Sequence, residues 1–357
     1  MNLRRWAFIS AGLGVLGLLA CLLLASREAV AASLASLLGL AGIPLGGLCL
    51  GLSVALVSGN ARDQLWPWTL FSSRALPALA LIALPVLAGA GVLYEWVGPD
   101  EGGFRGFWLA WPSFAVRGVL YLGAWCALAT WVLPMSLKRP AAAGLGLIAL
   151  VVTTSLAAVD WAMSLDPHFK SSLFGMVWFG RLMLSGIAFC CLLALGLGAD
   201  RSGRDRPGCD QSGRDRSGND RPGVLRGMLA AAVLAWLYLH FMQYLVIWYG
   251  NLPEEIRWYQ HRAEGGWLWL TWLLGAGQSL VFIALLWPFS QRRRVLMVLA
   301  TATLLLGLAE GVWMSLPGLS EMHPVLLGLS LIAAWLAGGG LLALALLAKR
   351  TLPRRTP

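Results

Sequence analysis

"SLASLLGLAGIPLGGLCLGLSVALV" (residues 33–57) runs for 25 residues without a charged side chain. About 20 apolar residues in an α-helix cross a ~30 Å hydrocarbon core, so this stretch is long enough to span a membrane. The whole chain has the same character, because 58% of its 357 residues are hydrophobic and 12% are charged. Soluble domains carry about 25% charged residues. The composition therefore excludes a soluble fold and predicts an all-α, polytopic integral membrane protein.

Runs of this kind predict ten transmembrane helices. They lie at residues 6–25, 33–57, 76–94, 115–133, 142–163, 173–198, 225–249, 267–287, 295–315 and 325–348. The first run follows Arg4 and Arg5, as in a cleaved signal peptide, but it continues through Leu22, Leu23 and Leu24. A signal peptide has an apolar region of only about 7–15 residues. We therefore expect an uncleaved first helix.

The distribution of Lys and Arg predicts which side of the membrane each loop occupies. Of the 27 basic residues, 20 fall on the side of the two termini, and Arg181 lies within a span. The opposite side carries only Arg27, Arg105, Arg117, Lys170, Arg257 and Arg262. Since basic loops are retained in the cytoplasm, we expect cytoplasmic termini in a bacterial inner membrane. The net charge of +10 reflects this topology and gives no indication of nucleic-acid binding.

One loop has low complexity. Residues 200–224 repeat a five-residue unit with Asp first and Gly fourth, as in "DRSGR" and "DRPGC". Because nothing apolar is available to bury, we expect residues 199–224 to be a disordered cytoplasmic linker, with a partner-binding tether as the alternative. The linker divides the chain into residues 1–198, with six helices, and residues 225–357, with four helices and a short basic tail.

Four ionisable residues fall within the outer half or the middle of the predicted spans: Asp160, Arg181, His240 and Glu310. Such groups usually face a bundle interior or a wet cavity. An unpaired arginine in lipid costs at least ~2.5–3.5 kcal/mol, so Arg181 needs an acidic partner, either Asp160 or Glu310. We interpret the four residues as one candidate proton path with His240 at its inner end. A purely structural ion pair is the alternative.

His240 also belongs to a polar stripe on the seventh span. Trp236, His240, Gln243 and Ile247 follow helical spacing and share one face. No second histidine lies within a span at the depth of His240, and the six cysteines include no clustered pair. We therefore expect this chain to bind no haem, iron–sulfur cluster or other metal itself.

The other polar side chains of interest lie mainly in two outer loops. In "WYGNLPEEIRWYQHRAEGGW" (248–267), Asn and Pro end the seventh helix and a short amphipathic segment follows. The second loop is "DWAMSLDPHF" (160–169). Together the loops provide a candidate docking surface, or alternatively a proton exit, formed by Asp166, His168, Asn251, Glu254, Glu255 and His261.

These outer loops resemble a known family. "DWAMSLDPHFKSSLFG" (160–175) and "QYLVIWYGNLPEEIRWYQHR" (243–262) are similar to segments of quinone-binding subunit 2 of alternative complex III, a bacterial quinol:cytochrome c oxidoreductase. That subunit belongs to the polysulfide-reductase-like (NrfD-like) membrane superfamily. Outside the two segments, the agreement is in helix number and hydropathy only. The repeat at 200–224 is not part of the family pattern.

The resemblance implies a fold and a role. It implies ten helices, eight of them in two four-helix bundles and two peripheral. It implies a subunit of an electron-transport complex, without a redox cofactor of its own and not a catalyst alone, that supports proton translocation. Quinone would bind at or near the complex. The implied partners are a multihaem cytochrome c, iron–sulfur subunits, a paralogous membrane subunit and a terminal oxidase.

Two other functions remain open. The chain could be a stand-alone scaffold or assembly subunit of a haem–copper oxidase. It could also be a secondary transporter that uses Asp160, Arg181 and Glu310 as substrate or coupling-ion ligands. Transporters usually contain internal repeats and broken helices, and the sequence shows no convincing internal repeat.

Overall fold

The computed structural model describes residues 3–57, 59–97, 103–197, 221–319 and 322–348. Within these ranges the secondary structure is helical and contains no strand. The predicted all-α, multi-pass membrane fold is therefore confirmed. Most of the predicted linker and the basic tail lie outside the described residues.

The described residues contain twelve helices of eleven or more residues. They are α1 (Leu3–Leu24), α2 (Ser26–Leu56), α3 (Asn60–Ser73), α4 (Leu76–Ala88), α5 (Trp111–Ala127), α6 (Pro140–Trp161), α7 (Phe174–Leu197), α8 (Arg221–Gly250), α9 (Pro253–Ala263), α10 (Gly265–Leu286), α11 (Arg293–Ser315) and α12 (Pro324–Ala348). A π-helical turn, Leu128–Val132, continues α5. Helix α8 begins at Arg221, before the predicted start of the span, because Pro222 is tolerated in a first helical turn.

The third span is a broken helix. Helices α3 and α4 are bent by 41° at a short break. The Ser72 hydroxyl, just before the break, donates a hydrogen bond to the carbonyl of Ile43 in the middle of α2. The span therefore begins well before residue 76, where the hydropathy pattern placed its start, and Arg74 lies at the bend and not in a loop. Polar residues in the first turns of α3, such as Arg62 and Asp63, hid this early start of the span from the hydropathy pattern.

The helices form two four-helix bundles. The first contains α2, the bent pair α3–α4, α5 and α6, and the second contains α7, α8, α10 and α11. With the bent pair taken as one span, ten spans are present in the described chain, as predicted. Helices α1 and α12 pack together beside the bundles, which confirms the expected two peripheral helices.

Helix α2 lies between the bundles and is almost completely buried. Glycines permit its close approach to the second bundle. A Cβ atom at Gly46 would lie 1.9 Å from the Leu182 carbonyl oxygen and 2.7 Å from the Gly186 nitrogen of α7. Gly39 meets Gly311 of α11 in the same way. Because apolar burial cannot favour one helix contact over lipid, such small-residue contacts hold membrane helices together.

The peripheral helices run antiparallel. Gly14 of α1 packs on Ala337 of α12, and Ala11 of α1 packs on Gly340. The Ser10 hydroxyl donates to the carbonyl of Leu336 across the same contact. The beginning of α1 and the end of α12 therefore lie at one end of the molecule. We call the opposite end, which carries residues 162–173 and α9, the outer face.

The two bundles share one order of elements, although the sequence shows no convincing internal repeat. Each has a short helix on the outer face between its second and third spans, Gly103–Leu109 in the first bundle and α9 in the second. Their fourth helices end in related sequences, "DWAMSLDP" (160–167) and "EGVWMSLP" (310–317). The sequence similarity is confined to these helix ends, because any apolar residue is compatible with the bilayer along the rest of each span. Only the topology makes the repeat evident.

The orientation of the fold can be tested by fusion. Alkaline phosphatase, which folds only outside the cytoplasm, is expected to be active when fused after Gly250 at the outer face. It is expected to be inactive when fused after Ser290, between α10 and α11. The reason is the excess of Lys and Arg on the side of the termini. Enzyme activity normalised to the amount of fusion protein is the measurement, and the reverse pattern would invert the topology.

Candidate functional site

A buried ion pair joins two helices of the second bundle. Arg181 lies seven residues into α7, and Glu310 lies five residues before the end of α11. Arg181 Nε is 3.8 Å from Glu310 Oε2, and the two side chains are 0% and 1% exposed. The acidic partner that Arg181 required is therefore Glu310. Asp160, the other candidate, lies elsewhere.

The same arginine connects the second bundle to α2. One terminal nitrogen, Nη2, contacts the carbonyl oxygens of Leu38, of Gly39 at 3.3 Å and of Gly307 at 3.4 Å. Its Nε and Nη1 atoms make no hydrogen bond among the described residues. The positive charge is thus held between the two bundles by one carboxylate and several carbonyl dipoles.

His240 of α8 completes the cluster. Its Nε2 is 3.0 Å from Glu310 Oε1, and the indole N–H of Trp236 donates to Glu310 Oε2 at 2.9 Å. The His240 ring stacks on Trp236 with a centroid separation of 4.0 Å, and its Nδ1 is 3.0 Å from the Trp236 carbonyl oxygen. Because a carbonyl oxygen can only accept, Nδ1 carries a proton.

His240 Nε2 and Glu310 Oε1 are two proton-binding atoms in direct contact. With Nδ1 protonated, Nε2 of a neutral imidazole carries a lone pair, so both atoms can take up a proton. The oxygen lies off the ring N–H direction, so neither atom makes an aligned hydrogen bond among the described residues. The His240 side chain is 18% exposed, so the pair reaches the molecular surface.

Asp160 forms a separate site in the first bundle. The Arg117 guanidinium binds its carboxylate at both oxygens, with Nε–Oδ2 at 2.8 Å and Nη2–Oδ1 at 3.1 Å. The Tyr121 hydroxyl donates to Oδ2 at 2.8 Å. The structure therefore joins Arg181, His240 and Glu310 but places Asp160 apart from their contacts, unlike the single path expected. Sequence reasoning missed Arg117 as the partner, although this residue falls inside the predicted span 115–133.

The predicted outer residues divide into two groups. Asp166, His168 and His261 line one cavity of about 170 Å³ between the ends of the bundles, where Glu95 and Arg257 also contribute. The other three do not line it. Asn251 and Glu254 are exposed and Glu255 is half-buried. Asn251 instead ends α8 with a φ of 48°, which confirms the left-handed cap that its sequence predicts.

The two recognisable outer segments contact each other above this cavity. Phe169 stacks on Trp258 of α9 with a centroid separation of 4.9 Å. The Arg262 guanidinium lies 3.4 Å from the Trp258 ring centroid. It also donates to the carbonyl oxygens of Trp313 and Met314 at the end of α11. Burial lowers the pKa of Arg262 to about 9, so the residue is still cationic at neutral pH. Sequence reasoning had not identified it as this anchor.

The second bundle also contains two buried amides. Gln243 and Gln278 are buried, and the Nε2 atoms of both make no hydrogen bond among the described residues. In the same part of the chain, no three His, Cys, Asp or Glu side chains lie close enough together to hold one metal ion.

The fold and this site define a class: a polytopic α-helical membrane protein with ionisable side chains buried in and between two four-helix bundles. No protein-family model matches the chain, and no curated protein matches it.

Proposed function

We propose that this chain is a membrane subunit of a quinol-oxidising respiratory complex of the alternative complex III type, located in the bacterial inner membrane with cytoplasmic termini. It binds no redox cofactor itself and transfers protons through the outer half of the membrane. Its partners would be a multihaem cytochrome c, iron–sulfur subunits and a paralogous membrane subunit. The observation that carries the proton-transfer role is the contact between His240 Nε2 and Glu310 Oε1.

Three features of this contact support proton transfer. His240 Nε2 and Glu310 Oε1 lie 3.0 Å apart, so a proton taken up by the pair can be held on the imidazole or on the carboxylate. Arg181 places a fixed positive charge 3.8 Å from the Glu310 carboxylate. His240 is partly exposed, so one member of the pair is accessible from outside the protein.

Support for the type of complex comes from the outer face. The two segments that resemble the family are 160–175 and 243–262, and they pack on one another through Phe169 and Trp258. They surround the cavity lined by Asp166, His168 and His261. We assign this composite surface to docking of an extramembrane electron-transfer subunit, with proton exit as its second role.

The test is Glu310→Gln in the assembled complex. We expect quinol-dependent turnover and coupled proton release to fall at least about tenfold, because an amide cannot accept the proton that the carboxylate exchanges. Because Glu310→Gln also leaves Arg181 without a carboxylate, turnover is expressed per assembled complex, which separates a loss of yield from a loss of activity. Quinol:cytochrome c activity and a pH-sensitive dye in reconstituted vesicles provide the two measurements.

Glu264→Gln is the matched control, because it makes the same chemical change at an exposed position between α9 and α10, outside the two family-like segments. It should retain normal turnover. Normal turnover and normal proton release in Glu310→Gln would exclude proton transfer at this site. A loss of complex yield with normal specific turnover would assign the pair a structural role alone.

A secondary transporter is the second candidate, and two observations favour it. The bundles form a repeat with the same direction through the membrane, and the third span is broken near its middle. Both features occur in transporters. Purification in mild detergent distinguishes the candidates: co-purification of haem-containing partners supports the respiratory subunit, whereas a partner-free chain that accumulates solute in proton-loaded vesicles supports the transporter.

A further inference from the structure

A groove runs between α6 and α7 at their outer ends, on the membrane-facing surface. Its volume is about 460 Å³. None of its lining residues belongs to the Arg181–Glu310–His240 cluster or to the outer cavity. Its walls include Leu156 and Val159 of α6 and Met176 of α7. Leu156 is 38% exposed and Met176 is 58% exposed, so the groove is open to lipid.

The groove changes from apolar to polar along its length. Leu156, Val159 and Met176 form the part beside the hydrocarbon. Lys170, Ser171 and Ser172, in the loop before α7, form the mouth at the outer face. An occupant that fits both parts must be an amphiphile with an apolar chain and a polar head. A soluble anion would leave the apolar walls exposed to water, and a hydrocarbon would leave the lysine without a counter-ion.

The charge at the mouth has no counter-ion in the described part of the protein. Two other basic residues of the outer face are satisfied: Arg117 binds Asp160, and Arg262 binds the carbonyls that end α11. Lys170 is exposed and makes no hydrogen bond or ion pair with any described residue, and the hydroxyls of Ser171 and Ser172 make none either. Three successive residues therefore present one ammonium group and two hydroxyl groups to the head-group region.

We propose that this groove binds an acidic glycerophospholipid of the outer leaflet. One acyl chain lies along Leu156, Val159 and Met176, and the phosphate contacts Lys170 with Ser171 and Ser172. Negative charge on the head group complements the lysine, and hydroxyls donate to phosphate oxygens. The lipid would fill the cleft at the junction of α6 and α7, which belong to different bundles, and would thereby join the bundles at their outer ends.

The test measures lipid retention by native mass spectrometry. The full chain, or the complex that contains it, is released from nanodiscs of phosphatidylcholine and phosphatidylglycerol in equal amounts. We expect the wild type to retain phosphatidylglycerol preferentially. Lys170→Gln should reduce that preference about fivefold, since one basic residue near an anionic head group contributes about 1 kcal/mol. Leu156→Trp should reduce retention of both lipids by filling the groove.

Lys138→Gln is the matched control, because Lys138 is a loop lysine at the opposite end of α6. It should leave the outer-groove preference unchanged. Equal retention of phosphatidylglycerol by the wild type and Lys170→Gln would overturn the proposal, as would retention of phosphatidylcholine and phosphatidylglycerol without preference. Inorganic phosphate added to lipid-free protein should not protect it against heat; protection by phosphate alone that Lys170→Gln abolishes would assign the site to a free anion instead.

Discussion

Gly46→Ala is expected to lower the free energy of unfolding by at least about 3 kcal/mol, near the upper end for an overpacked core. The added methyl group would lie 1.9 Å from the carbonyl oxygen of Leu182, a backbone atom that no side-chain rotation can move. Helices α2 and α7 would have to separate, and the contact between the two bundles would open. Thermal unfolding of the purified protein in detergent, together with the yield of monodisperse protein, is the measurement.

Gly275→Ala provides the matched control. It makes the same substitution within helix α10, at a position where a Cβ atom would meet nothing within 4 Å. Its stability should be equal to or slightly above that of the wild type, because alanine favours helix more than glycine. Equal stability of Gly46→Ala and Gly275→Ala would show that the bundles tolerate a wider separation than the structure has.

Arg181→Met is expected to lower stability by about 3–5 kcal/mol, the cost of leaving a buried charge without its partner. Glu310 would retain only His240 and the Trp236 N–H, and the carbonyls of Leu38, Gly39 and Gly307 would lose their donor. Arg181→Met combined with Glu310→Met should recover at least half of the loss, because both charges are then absent. The resistance of each purified variant to unfolding by heat in detergent is compared.

Arg294→Met is the control for removal of a positive charge, because Arg294 is exposed at the start of α11. Such a surface change should shift stability by no more than about 0.5 kcal/mol. If the double variant were as unstable as Arg181→Met alone, the ion pair would not be the source of the loss. The bonds from Arg181 to the backbone of α2 would then account for it.

Hydropathy predicted the spans wherever their residues are uniformly apolar. It located nine of the ten spans with their ends within about seven residues, and residues 33–57 cover all of the long helix α2 except its first seven residues. It failed at the third span, because α3 begins with polar residues such as Arg62 and Asp63 that resemble a loop. Protein contacts with α2 and α7 replace lipid contacts along α3, so its sequence does not need to be apolar throughout.

The residues of the candidate site could be predicted from the sequence more readily than the contacts between them. The cost of an ionised side chain in hydrocarbon identified Arg181, Glu310 and Asp160 before any contact was known. The identity of the partners depends on which helices are neighbours. Asp160 and Glu310 end the fourth helices of different bundles, so they bind different arginines, Arg117 and Arg181.

The sequence by itself determined that this is a multi-pass membrane protein with about ten spans in its described part, because the bilayer imposes a length and an apolar character on each span independently of the others. It also determined the left-handed end of α8 at Asn251, which depends on local backbone geometry alone. Only the tertiary structure decided that α2 lies between two repeated bundles, that Glu310 binds both Arg181 and His240, and that Phe169 meets Trp258. These pairings join residues that are distant in the chain. They depend on glycine contacts between helices, and the lipid-facing residues of a helix do not indicate which helices lie beside it.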